Sequence, residues 1–433
     1  MRGQLGRMSD TLADQYREFR RDLHRHPEPA WCEFYTTARI VDALRERDLT
    51  ELHVGPDALA GEERMNVPDD GTLDEWLERA RDAGADPAVL DEFDGGHTGC
   101  VAVVERGEGP VVGLRVDIDA LPVRESTADD HVPAAEGFRS EREGYMHACG
   151  HDVHATIGLG VIDAVLDSDF SGTLKVFFQP SEEQVSGGKP MADSGHLDDV
   201  DYLYAVHIGL DHPSGEVVCG VGGFLAVRHF LAEFEGEPAH AGARPEAGRN
   251  TVQAMAAAVQ NLYAIPRHSD GPTRVNAGLV GGGTATNIIP EESYVEGEVR
   301  GGTTALAEHM SEHADRVLHS AAEMHDVDVD VSTKGEAPSA ESDAALADLI
   351  GDVAADTEGI TEIVERADLG GSEDATYLMK RVQERGGLAC YVGVGTDHPG
   401  GHHTGTFDVV EHDVAIGIDV LAGAITRLST TPI

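Results

Sequence analysis

Apolar positions recur at three- and four-residue intervals from the start of the chain. Leu12, Tyr16, Phe19 and Leu23 share one helical face, and a second helix is predicted over residues 36–47. Pro27, within His24-Arg25-His26-Pro27-Glu28, breaks the pattern between them. An acidic stretch, 56–94, reads as an insertion carrying one helix at 73–83. Short apolar, β-branched runs at 99–104 and 111–116 predict strands, followed by a helix through 157–165 and strands at 174–178 and 202–206. Strands alternating with helices in this way indicate an α/β domain around a mixed, mostly parallel sheet flanked by helices. Near Gly222 the pattern changes. Strand 227–234, helix 251–263, strands 274–280 and 293–299, helix 304–324 and strand 327–331 make a complete β-α-β-β-α-β unit, inserted in the larger domain. The expected division is therefore 1–223 and 336–433 for the larger domain and 224–335 for the insert.

Composition agrees with that picture and adds one property. At 433 residues with 40% hydrophobic content, the chain is long enough for two buried cores. Its charge is extreme: 32 basic against 79 acidic residues gives 32 − 79 = −47. Lysine is confined to Lys175, Lys189, Lys334 and Lys380. Self-repulsion on this scale destabilises a compact state in dilute buffer, whereas molar salt cuts the screening length to ~3 Å and removes most of the penalty. A halophilic host with a salt-rich cytoplasm is the reading, and nucleic-acid binding is disfavoured on the same electrostatic ground. The expected result is unfolding below roughly half-molar salt; a melting temperature independent of KCl concentration would remove the inference.

No run of 18 apolar residues and no charged-then-apolar leader is present, so a soluble, cytoplasmic protein with no membrane partner is expected, with Met8 an alternative start to Met1. Five cysteines, scattered and odd in number, are no disulfide framework.

The chemistry gathers elsewhere. His147-Ala148-Cys149-Gly150-His151-Asp152, with His154 beyond, packs a thiol and three imidazoles into eight residues. Cys149 and His151 could grip one divalent ion from a single turn, since thiolate and imidazole are good ligands for zinc-like metals. Glu182 and Glu183 follow the strand at 174–178, His207 follows the strand at 202–206, and Asp117 and Asp119 end the strand at 111–116. Acids and imidazoles are thus aimed from several strand ends at one sheet edge, where α/β folds place ligands. His402-His403 lies in a glycine-rich loop, while His24 and His26 read as turn residues bonding to backbone.

The segments HRHPEPAWCEFYTTARI, LRVDIDALPV, MHACGHDVHATIGLG, FFQPSEE, AVHIG, GEPAHAGARPEAGRNT, GGGTATNIIPEE, VEGEVR and GSEDATYLM run in order from His24 toward Phe407. Together they resemble the binuclear-metal amidohydrolase and peptidase family of aminoacylases, hippurate hydrolases and indole-acetyl-amino-acid hydrolases. EPAWCEFYTT, the acidic insertion and ESTADDHVPAAEGFRS are most similar to the A subunit of aminobenzoyl-glutamate hydrolase. The resemblance implies a catalytic domain with an inserted lid or dimerisation domain, and two divalent ions, Mn2+ or Zn2+, in each copy of the chain. It implies Cys149, His151, Glu183, His207 and His403 as metal ligands, His403 because it stands four residues before Phe407, with His402 the alternative. This loop reads HTGTF where the family more commonly has His-Asn-Pro. Glu182 matches the catalytic carboxylate, Asp119 the acid that orients a ligand, and Asp117 a nearby metal-site position. His240 is the implied donor to the amide oxygen, reaching across a dimer or after closure, and Asn287 and Arg300 match positions that hold the substrate carboxylate. Arg300 could instead be a strand residue pairing with Glu298 or Glu296.

The implied reaction is hydrolysis of the amide of an N-acyl or N-aroyl amino acid, with aminobenzoyl-glutamate the leading substrate. A broad aminoacylase, hippurate-type or indole-acetyl-amino-acid hydrolase is the alternative, and a metal-retaining inactive subunit is the non-enzymatic one. The expected assembly is a homodimer or a hetero-oligomer with a related subunit.

Overall fold

The structure is a computed structural model that describes residues 10–431 and 433; Met1 and Met8, the two alternative starts, lie outside them. The chain divides into two compact units. The first takes the described residues through Gly222 together with Ala340–Leu369 and Asp374–Ile433; the second is Gly223–Ser339 with the short segment Gly370–Glu373.

The first unit opens with α1 (Asp10–Arg25), α2 (Phe34–Arg45), β1 (Glu51–Val54), α3 (Asp70–Asp82) and α4 (Pro87–Leu90). Then come β2 (Cys100–Glu105), β3 (Val111–Asp117), α5 (Val132–Glu136), α6 (His151–Leu166), β4 (Thr173–Gln179), α7 (Gly188–Ala192), β5 (Tyr202–Ile208) and β6 (Glu216–Gly222). In the second unit follow β7 (Ala226–Glu235), β8 (Ala239–His240), α8 (Thr251–Leu262), β9 (Thr273–Gly282), β10 (Ile288–Ile289), β11 (Glu292–Gly301), α9 (Thr304–Met324) and β12 (Asp328–Ala337). The chain returns to the first unit with α10 (Ala344–Ala354), β13 (Glu362–Val364), β14 (Ala367–Asp368), α11 (Ala375–Glu384), β15 (Leu388–Val394) and α12 (His412–Thr430).

The large sheet has the order β1-β2-β4-β3-β5-β15-β6-β13, with β14 also pairing with β6. Its centre is parallel: β4, β3, β5 and β15 all run the same way, whereas β2 and β6 pair antiparallel with this block. The expected mixed, mostly parallel sheet is borne out, and it has a consequence for chemistry. Four adjacent strands end on the same edge, so the residues that follow them can converge. Strands buried on both faces read as continuous apolar runs, and consecutive residues, which point to opposite faces, are buried here: Phe177 and Phe178, Leu203 and Tyr204, Ala205 and Val206, Tyr391 and Val392.

α6 is apolar nearly all round and is correspondingly buried. Its glycines let neighbours approach closely: a Cβ on Gly160 would lie 2.2 Å from Ile418 of α12. The acidic stretch is no loose insertion. Leu73, Trp76, Leu90 and Phe93 pack into the same core as α2.

The second unit carries a four-stranded antiparallel sheet in the order β12-β7-β11-β9. β7 and β9, joined through α8, are separated by β11, which is the split β-α-β-β-α-β arrangement expected from the sequence. Phe230, Phe234, Val295 and Val299 from the strands meet Ala254, Ala258 and Leu262 of α8 and Met310, Ala314 and Leu318 of α9. Strand β9 is an edge, and Leu279 and Val280 on it are 59% and 50% exposed.

Candidate metal centre

The site forms where β3, β4 and β5 end and α6 begins. Gly150 precedes α6 with φ 88°, a left-handed conformation that L side chains avoid. A Cβ there would also fall 2.4 Å from Ile208. This glycine permits the tight turn that sets Cys149 and His151 side by side.

The five residues expected as metal ligands come together. Donor atoms of Cys149, His151 and His207 lie within 4.8 Å of one another, as do those of Cys149, Glu183 and His403. Glu182 joins His151 and Glu183 in a third such group. His151 Nε2 stands 3.8 Å from Glu183 Oε1 and 3.9 Å from Glu182 Oε2, and His403 Nε2 stands 3.5 Å from Glu183 Oε2. His151 Nε2 and Glu183 Oε1 are buried with no hydrogen-bond partner among the described residues. Buried polar atoms are otherwise almost always satisfied, so a lone pair and a carboxylate oxygen aimed into one space fit a cation.

Electrostatics point the same way. Burial pushes the Glu183 carboxyl up to about 8; His151 opposes this, while Asp119 and Asp117 reinforce it. Burial disfavours the His151 cation, yet Asp117, the Asp119 hydrogen bond and Glu183 overcome it and hold the imidazole up to about 10. Both shifts mark a buried, anionic space that favours added positive charge.

Surrounding bonds fix which nitrogen each ring presents. His207 Nδ1 donates to the Ile208 carbonyl at 2.7 Å, leaving the Nε2 lone pair 3.4 Å from Cys149 Sγ. Burial, with His154 and His402 nearby, holds the His207 pKa well below its ordinary value, so the ring is neutral. His151 Nδ1 faces Asp119 Oδ1 at 3.3 Å, which turns its Nε2 toward the acids. Asp119 also accepts from the amides of Glu182 and Glu183, at 3.0 and 3.1 Å. One buried carboxylate therefore orients a ring and the loop bearing both glutamates.

His154 and Asp117 are committed to each other. The Ile208 amide donates to His154 Nε2 at 2.9 Å, so His154 Nδ1 carries the proton and donates to Asp117 Oδ1. Arg115 donates to Asp117 Oδ2 at 2.6 Å. His402 is committed in the same way. The Leu210 amide donates to its Nε2 at 3.1 Å, which leaves a proton on Nδ1, 3.6 Å from Cys149 Sγ. His403, by contrast, has no side-chain hydrogen bond among the described residues; its amide donates to Ala148 O at 2.8 Å with φ 61°. Its Nε2 already faces Glu183 Oε2 at 3.5 Å.

The remaining three candidates belong to the second unit. His240 is exposed, and its Nδ1 accepts from the amides of Gly242 and Ala243, both at 3.1 Å. The proton is thereby placed on Nε2, as a donor to the oxyanion requires. Asn287 lies beside it: β8 pairs with β10, and Asn287 O accepts from the Ala241 amide at 3.0 Å. Arg300 is not with them. Its guanidinium grips Glu298 through two bonds of 2.9 Å and reaches Ser372 at 3.2 Å, the strand pairing that the sequence left open. Hydrogen bonding to His229, offset by burial, and then pairing to Arg300 pull the Glu298 carboxyl down to about 2.

One reading needs correction. His26 Nδ1 does bond the backbone, at Asp22 O. His24 bonds carboxylates instead, Asp152 Oδ2 at 2.9 Å and Glu125 Oε1 at 3.1 Å, because it sits on the buried side of α1 rather than in the turn. Sequence reasoning also passed over two buried arginines. Arg115 links Asp117, Gln179 and Asp374, and Asp374 in turn accepts from the amides of Gly187 and Gly188. Arg20 joins Asp152, next to His151, to Asp408, five residues beyond His403. Their signal was a charge inside an apolar strand or on the apolar face of a helix.

Comparison with known proteins shows the family. The model of peptidase family M20/M25/M40 matches residues 113–427. The chain belongs to that family, and is an amidohydrolase of it. It is 40% identical over 415 residues to the indole-3-acetyl-aspartic acid hydrolase of Enterobacter agglomerans, covering 95% of each chain. It is 39% identical to the A subunit of the p-aminobenzoyl-glutamate hydrolase of Escherichia coli (strain K12), covering 96% of this chain and 97% of that one. The crystal structure of an aminobenzoyl-glutamate utilization protein from Klebsiella pneumoniae superposes with a TM-score of 0.85 at 34% identity over 98% of both chains.

Proposed function

We propose that the protein hydrolyses the amide bond of N-acyl or N-aroyl amino acids, with aminobenzoyl-glutamate the preferred substrate, giving aminobenzoate and glutamate. The observation that carries this reading is the convergence of Cys149, His151, Glu183, His207 and His403 around unsatisfied buried donor atoms, with Glu182 beside them. Their mixed sulfur, nitrogen and oxygen set suits two Zn2+ or Mn2+ ions. When bound, such ions supply the Lewis acidity that makes water a nucleophile near neutral pH and polarises the amide carbonyl.

The chain's own residues do the rest. Glu182 takes the proton from the attacking water and returns it to the departing amine nitrogen. Asp119 keeps that carboxylate and the His151 ring in place. His240 Nε2–H donates to the oxygen that gains charge. Arg300 meets the substrate carboxylate by exchanging Glu298 for it, as a guanidinium binds either with two parallel bonds. Asn287 and Arg300 stand near opposite ends of the lid sheet: from Glu292 to Arg300 β11 runs eight residues, about 27 Å at ~3.4 Å per residue. That exceeds the reach of one N-aroyl amino acid, so one substrate meets both Arg300 and Asn287 only when they come from two copies of the chain. The exposed β9 edge, with Leu279 and Val280, is the surface through which copies pair. A sedimentation mass equal to one chain would contradict this assembly.

The functional test is release of glutamate from aminobenzoyl-glutamate by the purified protein alone, in concentrated KCl with Mn2+ or Zn2+. Hydrolysis of indole-acetyl-aspartate in preference would move the substrate to that relative's class. Turnover of neither substrate, with two metals bound, would favour the reading as an inactive, metal-retaining partner.

A further inference from the structure

Glu33 is a fully buried carboxylate that none of the steps above uses. It stands immediately before α2, and its side chain makes no capping bond to that helix. That task falls to Glu28, whose two oxygens accept from the amides of Tyr35 and Thr36, each at 2.8 Å. Glu33 reaches elsewhere. Its Oε1 accepts from the amide of Ser181 at 2.8 Å, and its Oε2 accepts from Thr98 Oγ1 at 2.6 Å.

Ser181 directly precedes Glu182 and has φ 58°. A side-chain-bearing residue persists in that conformation only where its surroundings over-determine it. Here they do so from several sides. The Ser181 carbonyl accepts from the amides of Ser186 and Gly187, and its Oγ contacts Ser186 Oγ at 2.6 Å. The next two amides, of Glu182 and Glu183, go to Asp119. Three successive backbone donors thus end on two buried carboxylates, Glu33 and Asp119. Asp119 holds the glutamates from the strand side; Glu33 holds the residue that aims the first of them.

We propose that Glu33 is a positioning residue of the reaction: through the Ser181 amide it fixes where the Glu182 carboxylate stands. The proposal rests on the reading of Glu182 as the proton carrier. Burying an acid without a partner is costly, and both partners of Glu33 lie far along the chain, so its place in the core serves this loop rather than its own helix. Burial, reinforced by Asp119, pushes its carboxyl well above the usual range. A side chain of the same length that keeps an acceptor oxygen for the Ser181 amide should substitute for it.

The test compares E33Q, E33L and E33D in the full chain at saturating metal. Glutamine keeps an acceptor for the Ser181 amide and presents its NH2 to Thr98 Oγ1, which can rotate its proton away and accept, and should hold kcat within about threefold. Leucine removes the acceptor, and aspartate keeps the carboxyl group but falls one methylene short. Both are expected to lower kcat by about 100-fold with KM little changed, the scale of a ~1 Å misplacement. Hydrogen exchange at residues 181–183 supplies a readout independent of turnover: faster than wild type in E33L and E33D, unchanged in E33Q. Should E33L fail to fold, E33D against E33Q decides. Wild-type kcat in E33D, equal damage in E33Q and E33D, a loss carried by KM, or unaltered exchange would each overturn the proposal. If the wild type itself turns over no substrate, the functional reading fails while the exchange comparison still decides the clamp.

Discussion

Replacing Glu182 by glutamine is expected to lower kcat by about 10^3-fold or more, within the range that positioned acid–base groups supply, while leaving the metal content of the protein at two ions per chain. The argument rests on position. Glu182 Oε2 approaches His151 Nε2 to 3.9 Å, and the neighbouring Glu183 meets both His151 and His403. Glu183 thus bridges the rings of His151 and His403, and Glu182 stands beside it within reach of His151. Glutamine preserves size and hydrogen-bonding shape but cannot carry a proton between water and amine. Rates with Glu182→Gln and Glu182→Ala, read beside metal content by atomic absorption, check the assignment. Loss of metal in Glu182→Gln would show that the base has been taken for a ligand.

The second large effect concerns the paired histidines. His403→Ala should lower the number of tightly bound metals from two toward one and reduce turnover about 100-fold or more, the scale on which metal-site support is felt. His402→Asn should retain both ions. Both rings stand near Cys149, but only His403 has an uncommitted nitrogen facing Glu183. His402 Nε2 already accepts the Leu210 amide, and its other nitrogen points a proton at the sulfur. Burial, with His398 and His403 nearby, also pulls the His402 pKa down to about 3, as befits a neutral ring with a fixed tautomer. Metal stoichiometry of the two variants after dialysis against chelator separates them. Equal loss in both would return the loop to ambiguity and remove the tautomer argument.

Much of this was legible before any coordinates. The second unit emerged because its strands and helices alternate between periods of two and 3.6, the periodicities that burial of one face imposes. The strand-end placement of Asp117, Asp119, Glu182, Glu183 and His207 was legible because an apolar run that stops at an acid or imidazole marks an edge. What resisted reading was pairing across long sequence separations. Nothing local tells that Glu33 will find Ser181, that Arg20 will join Asp152 to Asp408, or that Arg115 will sit between Asp117 and Asp374. Each is a charged group in a core, and its partner is set by tertiary packing rather than by neighbours in sequence. The choice of ring nitrogen was also hidden. His154, His207 and His402 lie in similar polar surroundings, yet a backbone amide or carbonyl decides for each whether it can present a lone pair. Arg300 illustrates the reverse case, since its nearby partner Glu298 was visible two residues away.

The most direct test of the account is anomalous diffraction from crystals grown with Mn2+ or Zn2+ in concentrated salt. The account predicts two peaks per chain, coordinated by Cys149, His151, Glu183, His207 and His403, with Glu182 outside the coordination sphere. Two-metal density elsewhere, or none at saturating metal with the Cys149 thiol and these imidazoles turned away from one another, would contradict it.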